Sequence, residues 1–396
     1  MVSLTRARWQ RFGLNAARYA IGPLGGLAVP WLVLHQSGSQ AAWGDALRVI
    51  IPFQLFIHIA AWGSRDHLLR LFAITALRPP VLVVQSMITR AAVFLPILLL
   101  IGLLGSGAWP FAALWAGCAM LASSFEALFI RQKRFGFMLL LDATGLLAQC
   151  AALVLFGPLS TSTVLVTFIL GATVKLGIIR AWSYNQPNNE PSIDAFSVSI
   201  RSHFMDAFPF MLIGFSGLLA SRIDLYTANA LVDPVALGRY QIIASLFVQC
   251  QALAALAVLP LSRDLLKLNV VSVARYARRT RMWAALGLIP LCALAWILFR
   301  YGFGFRLAWH TLVAAALMVW PVFAYVPFIN TLYKHGRERI VMWSNFAAAA
   351  TSCLLTALLL PSIGPTGGLL AAAAGQWLML ASITSAIRRV HAVPGM

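Results

Sequence analysis

The chain of 396 residues is 61% hydrophobic and 10% charged, with a mean hydropathy of +0.83. Soluble domains carry about 25% charged residues, so water cannot be the solvent for this surface and the bilayer takes its place. The net charge of +19, from 30 Lys and Arg against 11 Asp and Glu, sits in short clusters between apolar runs. That pattern orients membrane helices, and with no polar domain to carry nucleic acid it excludes a nucleic-acid-binding protein.

The first apolar run, 12–34, follows Arg6, Arg8 and Arg11. It is too long for the core of a signal peptide and no Ala-x-Ala site follows it, so it reads as the first span. Further runs long enough to cross about 30 Å of hydrocarbon fall at 43–63, 81–104, 110–130, 136–157 and 161–180, then at 207–230, 235–260, 281–301, 307–328, 340–360 and 364–387. The intervening loops alternate. One set carries Arg65, Arg70 and Arg78; Arg131, Lys133 and Arg134; Arg180 and Arg201; Arg263, Lys267, Arg275, Arg278 and Arg279; and Lys334, Arg337 and Arg339. The other set is nearly free of basic residues; only the turn near Arg300 and Arg306 departs from the pattern. Both termini join the basic set, through Arg6, Arg8, Arg11, Arg388 and Arg389. The positive-inside rule therefore predicts an all-α, multi-pass protein of the inner (plasma) membrane, with twelve spans and cytoplasmic termini.

The polar segment 181–206 divides the spans six and six, giving an N-lobe over 1–180, a cytoplasmic linker over 181–206 and a C-lobe over 207–396. Span two ends in Ser64-Arg65-Asp66-His67-Leu68-Leu69-Arg70 and span eight in Ser262-Arg263-Asp264-Leu265-Leu266-Lys267. Span five ends at Gly157-Pro158 and span eleven leads into Gly364-Pro365. Matching features in matching spans, six apart, predict parallel repeats about an axis along the membrane normal, and hence a two-lobed transporter.

Enzyme signatures are scarce. No GxxxxGK[ST], HExxH or GxSxG motif and no His/Asp/Glu cluster occurs, so neither a catalytic site nor a cofactor is expected. The five cysteines fall in apolar runs without a CxxC pair, which argues against disulfides and metal. Attention moves to charges inside spans, each of which costs about 2.5–3.5 kcal/mol at the membrane centre unless paired or wet: Arg18, Arg48, Arg90, Glu126, Asp142, Lys175, Arg222, Asp224 and Arg239. Arg90 is the deepest and the hardest to explain by snorkelling; Arg18, Arg48 and Arg239 are shallower. Glu126, Asp142 and Lys175 lie near the cytoplasmic face and read as structural ion pairs. For spans one and two, two readings stand. Gly22, Pro23, Gly25, Gly26 and Pro30 serve either helix packing or a bendable gate. His58, with Arg48 and Gln54 on span two, is either a bonded bundle residue or part of a basic pocket. An arginine-lined cavity favours an anion, because guanidinium grips phosphate with two parallel bonds and keeps its charge. A cation exporter would line the cavity with carboxylates.

In the second half, Ser221-Arg222-Ile223-Asp224-Leu225-Tyr226 and Val235-Ala236-Leu237-Gly238-Arg239-Tyr240 resemble the pattern of the polysaccharide transporters. These are lipid-linked oligosaccharide (O-antigen-type) flippases of the multidrug/oligosaccharidyl-lipid/polysaccharide (MOP) superfamily. Gly336-Arg337-Glu338-Arg339 and Gly364-Pro365-Thr366-Gly367-Gly368 are similar to that family too. The resemblance implies a V-shaped, alternating-access transporter. It would carry a polyprenyl-diphosphate-linked glycan from the cytoplasmic to the outer leaflet for O-antigen, capsule or exopolysaccharide assembly. Polymerases and glycosyltransferases would be its neighbours, membrane lipid its surroundings, and H+ or Na+ a coupling ion. In the related lipid II flippases, arginines on the first, second and eighth spans line the cavity, which by position implies Arg18, Arg48 and Arg239 here. Arg90 and His58 complete the substrate-binding set. Asp224 and Arg222, two apart and so not facing each other on a helix, read either as an interfacial lock holding span seven against a neighbour or as a gating or coupling pair. A multidrug and toxin exporter of the same superfamily is the alternative, and a membrane scaffold without transport of its own a third.

Overall fold

The computed structural model describes residues 6–74, 79–157, 159–184, 200–258 and 270–391, with backbone alone for the first and last few residues of that span. The Ser262–Lys267 half of the repeat signature, Pro158, Arg78 and most of the 181–206 linker lie outside the described residues, as do the side chains of Arg6, Arg8 and Arg11. Everything described is helix or short turn. The helices are α1 Arg6–Ser37, α2 Gln40–Ala61, α3 Ser64–Ile74, α4 Pro79–Leu104, α5 Trp109–Ser123, α6 Glu126–Arg131, α7 Phe135–Leu155 and α8 Thr161–Tyr184; then α9 Ile200–Leu231, α10 Pro234–Val258, α11 Val270–Ile297, α12 Trp309–Lys334, α13 Glu338–Ile363 and α14 Pro365–His391. Among the described residues, eleven segments are long and apolar enough to cross a membrane; α10, a helix of 25 residues, stands at the place of the remaining expected span. The chain is a multi-pass membrane protein.

Local chemistry explains where the helices start and break. Ser39 caps α2 by accepting the Ala41 amide at 3.2 Å, and Asp233 caps α10 by accepting the Ala236 amide at 3.0 Å. Such caps satisfy donors that the first turn leaves open. The helix of span two closes at Ala61, two residues from the expected end: Trp62 and Gly63 turn left-handed, at φ 47° and 62°, and α3 carries the chain on from Ser64. At Gly63 a side chain has no room, since a Cβ would lie 2.4 Å from the Met211 nitrogen. Span four, expected as one helix over 110–130, is two. Ser123 and Ser124 turn their hydroxyls back onto the Met120 carbonyl, at 2.8 and 3.0 Å, competing with the helical ladder where it breaks. Helices α9 and α11 start seven and eleven residues ahead of the apolar runs, at 200 and 270. Polar and basic first turns extend a helix without adding apolar signal.

The chain divides into two compact units, residues 1–215 and 216–396. In the first, α7 packs on α1 and α8, α8 on α5, and α5 on α2 and α4. In the second, α13 packs on α14, α14 on α12, and α12 on α10 and α11. Counted as spans, five lies on six, four on six, and two and three on four in the first unit; eleven lies on twelve, ten on twelve, and eight and nine on ten in the second.

The repeat holds down to single residues. Gly171 and Gly375 are each the eleventh residue of their helices, α8 and α14, while Gly145 and Ala348 are each the eleventh of α7 and α13. A Cβ on Gly171 would lie 2.8 Å from the Gly145 carbonyl oxygen, and one on Gly375 would lie 2.8 Å from the Ala348 carbonyl oxygen. The next contacts are the Cβ atoms of Gln149 and Ser352, each fifteenth in its helix. Small residues at these crossings let two backbones meet, which is how helices gain packing energy where lipid removes the hydrophobic drive.

Candidate functional site

Four groups of polar side chains stand out against this apolar frame. The first is an ion-pair network in the first unit. Arg18 on α1 donates through Nη2 to Glu126 Oε1 and through Nε to Asp142 Oδ2, both at 2.9 Å. Lys175 on α8 reaches the other Asp142 oxygen at 2.8 Å. Arg65 on α3 adds longer contacts, 3.8 Å to Glu126 and 3.2 Å to Asp66. The network ties α1, α3, α6, α7 and α8 together. The pairing expected of Glu126, Asp142 and Lys175 is present. Arg18 is the centre of that network: two carboxylates within bonding distance hold its guanidinium more strongly than water would.

The second group surrounds Arg90, which is 1% exposed. Its Nη2 donates to Ser124 Oγ at 2.6 Å. Its other nitrogens face the Ser86, Ala60 and Ala61 carbonyls at 3.4, 3.4 and 3.5 Å. Ala60 and Ala61 are the last residues of α2, whose end leaves carbonyls without helical partners. Arg90 therefore caps α2 and clamps Ser124 at the break between α5 and α6. Its guanidinium thus faces three backbone carbonyls and one hydroxyl inside the protein. Beside it lie two buried histidines, His67 on α3 and His203 on α9.

The third group is exposed. Arg48 and His58 are both exposed on α2, ten residues and about 15 Å apart along the axis. In the second unit Arg239 is likewise exposed, between buried Gly238 and Tyr240.

The fourth group lies in the second unit. Asp224 on α9 is 3% exposed and accepts a hydrogen bond from the Tyr240 hydroxyl on α10. Gly368 on α14 makes room for that phenol: a Cβ there would lie 2.5 Å from the ring. Arg222, half-buried, is within electrostatic reach of Asp224, Tyr226 and Tyr240. Next to Gly368, Thr366 shares a 2.7 Å hydrogen bond with Thr311 on α12. Helix α9 is pinned further by Asn345 donating to Ser216 at 3.1 Å and Gln376 donating to the Ala220 carbonyl at 3.2 Å.

Two neighbouring stretches, 221–226 and 235–240, thus meet a distant third, 364–368, at one buried point. Each was conspicuous in the sequence, but nothing there joined Tyr240 to Asp224 or put Gly368 against the ring. His67 sits in the Ser64–Arg70 signature with no sign of its burial beside His203. A cavity of about 470 Å3 on α10, α11 and α12 is lined by Cys250, Thr280, Trp283, Gly287 and Phe323 among others, with no charged group. It suits an apolar chain and not a diphosphate.

Fold and polar groups together define a multi-pass membrane protein with the fold of the MOP-superfamily transporters. No protein-family model matches the chain, and no curated protein sequence matches it. Solved structures do. The lipid II flippase MurJ in an inward closed conformation is similar with TM-score 0.72 at 11% identity, over 95% of this chain and 87% of that one. A multidrug resistance MATE family transporter of the MOP superfamily, inward-facing, is similar with TM-score 0.62 at 12% identity, over 96% and 98%. A MOP-superfamily transporter from Pyrococcus furiosus, with a binding pocket of reversed polarity, gives 0.53 at 11% identity over the whole of both chains.

Proposed function

We propose that this chain is a flippase for a polyprenyl-diphosphate-linked oligosaccharide, moving it from the cytoplasmic to the outer leaflet by alternating access for surface-polysaccharide assembly. The two units act as parallel six-span lobes, 1–180 and 207–396, joined through the 181–206 segment. One observation supports the anionic substrate above others. The interior carboxylates are already engaged, Glu126 and Asp142 by Arg18 and Lys175, and Asp224 by Tyr240. Arg48 and Arg239 are exposed. A cation would find few unengaged acids; a diphosphate finds guanidinium groups suited to it. We place Arg48, His58 and Arg239 at the head group, with Arg18 and Arg90 supporting the helices that carry them, and Asp224 with Arg222 at a gating position. With the inside negative, each negative charge moved outward gains about 2.3 kcal/mol per 100 mV. A diphosphate head is therefore driven outward even without a coupled ion.

The test is a deletion strain of the native host. Loss of surface polysaccharide together with build-up of polyprenyl-diphosphate-linked oligosaccharide on the cytoplasmic side supports the reading. Unchanged polysaccharide with new sensitivity to cationic drugs would replace it with the multidrug exporter, which the MATE-like fold also accommodates.

A further inference from the structure

The first half of α9 is fastened beside a pair of histidines that glycan binding leaves unused. His67 and His203 are each 6% exposed, with ring centroids 5.4 Å apart and ring planes at 80°. His203 Nε2 lies 3.2 Å from Ser86 Oγ on α4. Three charges face the pair: Arg70 from α3 acts on His67, Arg90 from α4 acts on His203, and Asp206 from α9 acts on both. Arg70 and Asp206 are exposed and Arg90 is buried. Water and salt screen exposed charges, whereas a buried one keeps its reach. With both rings neutral, the pair already faces the unscreened guanidinium of Arg90. No carboxylate is among that group's hydrogen-bond partners. A proton on either ring adds a like charge in a poorly solvated place.

Among the described residues, the half-helix also makes contacts through groups that do not titrate. Trp62 Nε1 donates to the Phe204 carbonyl at 3.0 Å, the Trp62 and Phe204 rings meet at 5.1 Å, and the Phe210–Met211 backbone lies against Gly63. The histidine contact is the part of the attachment that acid alters.

We propose that His67 and His203 form a proton-binding site, filled when the first half of α9 leaves α3 and α4, so that proton uptake and release of this helix are coupled. The docked state keeps both rings neutral and shut away; the released state opens them to water, where imidazole takes a proton near pH ~6.5. Docking is favoured above that pH and weakened below it, by up to about tenfold per pH unit for each proton taken up. Helix α9 runs unbroken from the first unit into the second. A proton bound here therefore becomes a coupling ion for transport, a consequence that rests on the transporter reading.

The latch itself is tested without any substrate. Hydrogen–deuterium exchange of α9 peptides covering 200–215 is measured in nanodiscs at pH 8 and pH 6, corrected for intrinsic exchange. Protection in the wild-type chain should fall about tenfold or more at pH 6. In the His67→Gln/His203→Gln variant, whose amides match the size and polarity of imidazole but take no proton, protection should be the same at both pH values. Unchanged wild-type protection, or a double variant that keeps the wild-type pH response, overturns the proposal. Should the double variant fail to fold, His67→Gln alone leaves the Ser86–His203 contact in place. It should respond to pH less steeply than the wild type, and an equal response overturns the site. Unchanged surface polysaccharide in the deletion strain bears only on the substrate, and failure of the pH response only on the latch.

Discussion

A phenol hydroxyl, a buried carboxylate and a glycine meet where Tyr240, Asp224 and Gly368 converge. Tyr240→Phe removes the donor from α10 and leaves the buried carboxylate one hydrogen bond short, which costs about 1–3 kcal/mol. Thermal unfolding in detergent should show that loss, and Asp224→Asn in the Tyr240→Phe background should recover part of it. Gly368→Ala pushes a methyl into the ring and should destabilise by about 1–3 kcal/mol, although alanine is the better helix former. Arg90 belongs with these residues. The depth that made it look functional in sequence is explained by four acceptors around its guanidinium, two of them at the end of α2. Arg90→Ala should therefore lower both the melting temperature and the amount of inserted protein. Arg90→Lys, keeping the charge but losing the planar fork, should restore only part of either.

At the scale of helices, the crossings of α7 with α8 and of α13 with α14 are two copies of one joint. Gly171→Leu and Gly375→Leu each drive a side chain at a carbonyl oxygen 2.8 Å from the Cβ position, and should destabilise comparably, by at least the about 1–3 kcal/mol of an overpacked core. Gly177 is the control on the same helix: nothing lies within 4 Å of its Cβ position. Gly177→Leu should be neutral or gain up to about 1 kcal/mol from helix propensity. A Gly375→Leu variant as stable as Gly177→Leu would show that the second joint is not a copy of the first. The repeat was visible in sequence only through short signatures, one of which lies outside the described residues. The register of these joints was not visible at all, because three glycines and one alanine carry it and only the packing selects them.

For the whole molecule, burial separates two kinds of span arginine. Arg18 and Arg90 are held within the packed helices, and Arg48 and Arg239 are exposed. Arg48→Ala and Arg239→Ala should lower glycan export per molecule of inserted protein, and lysine at either site should rescue partly. Wild-type export from a stably inserted alanine variant would remove that arginine from the site. Collapsing the membrane potential with an ionophore should slow export in cells, since each uncompensated negative charge moved outward draws about 2.3 kcal/mol from 100 mV.

The sequence by itself determined the solvent, the helical class and the order of the spans. Backbone hydrogen bonds must be met within each crossing segment, so hydropathy and loop charge carry that information residue by residue. It also marked the residues that matter, since Arg18, Arg90, Asp224 and His67 all fell in stretches that stood out. Tertiary structure alone decided their partners. Arg18 found Glu126 and Asp142 more than a hundred positions away, Asp224 found Tyr240, and His67 found His203. A charge inside a membrane demands a partner wherever the fold can supply one, and the linear chain does not say which helix will stand beside it.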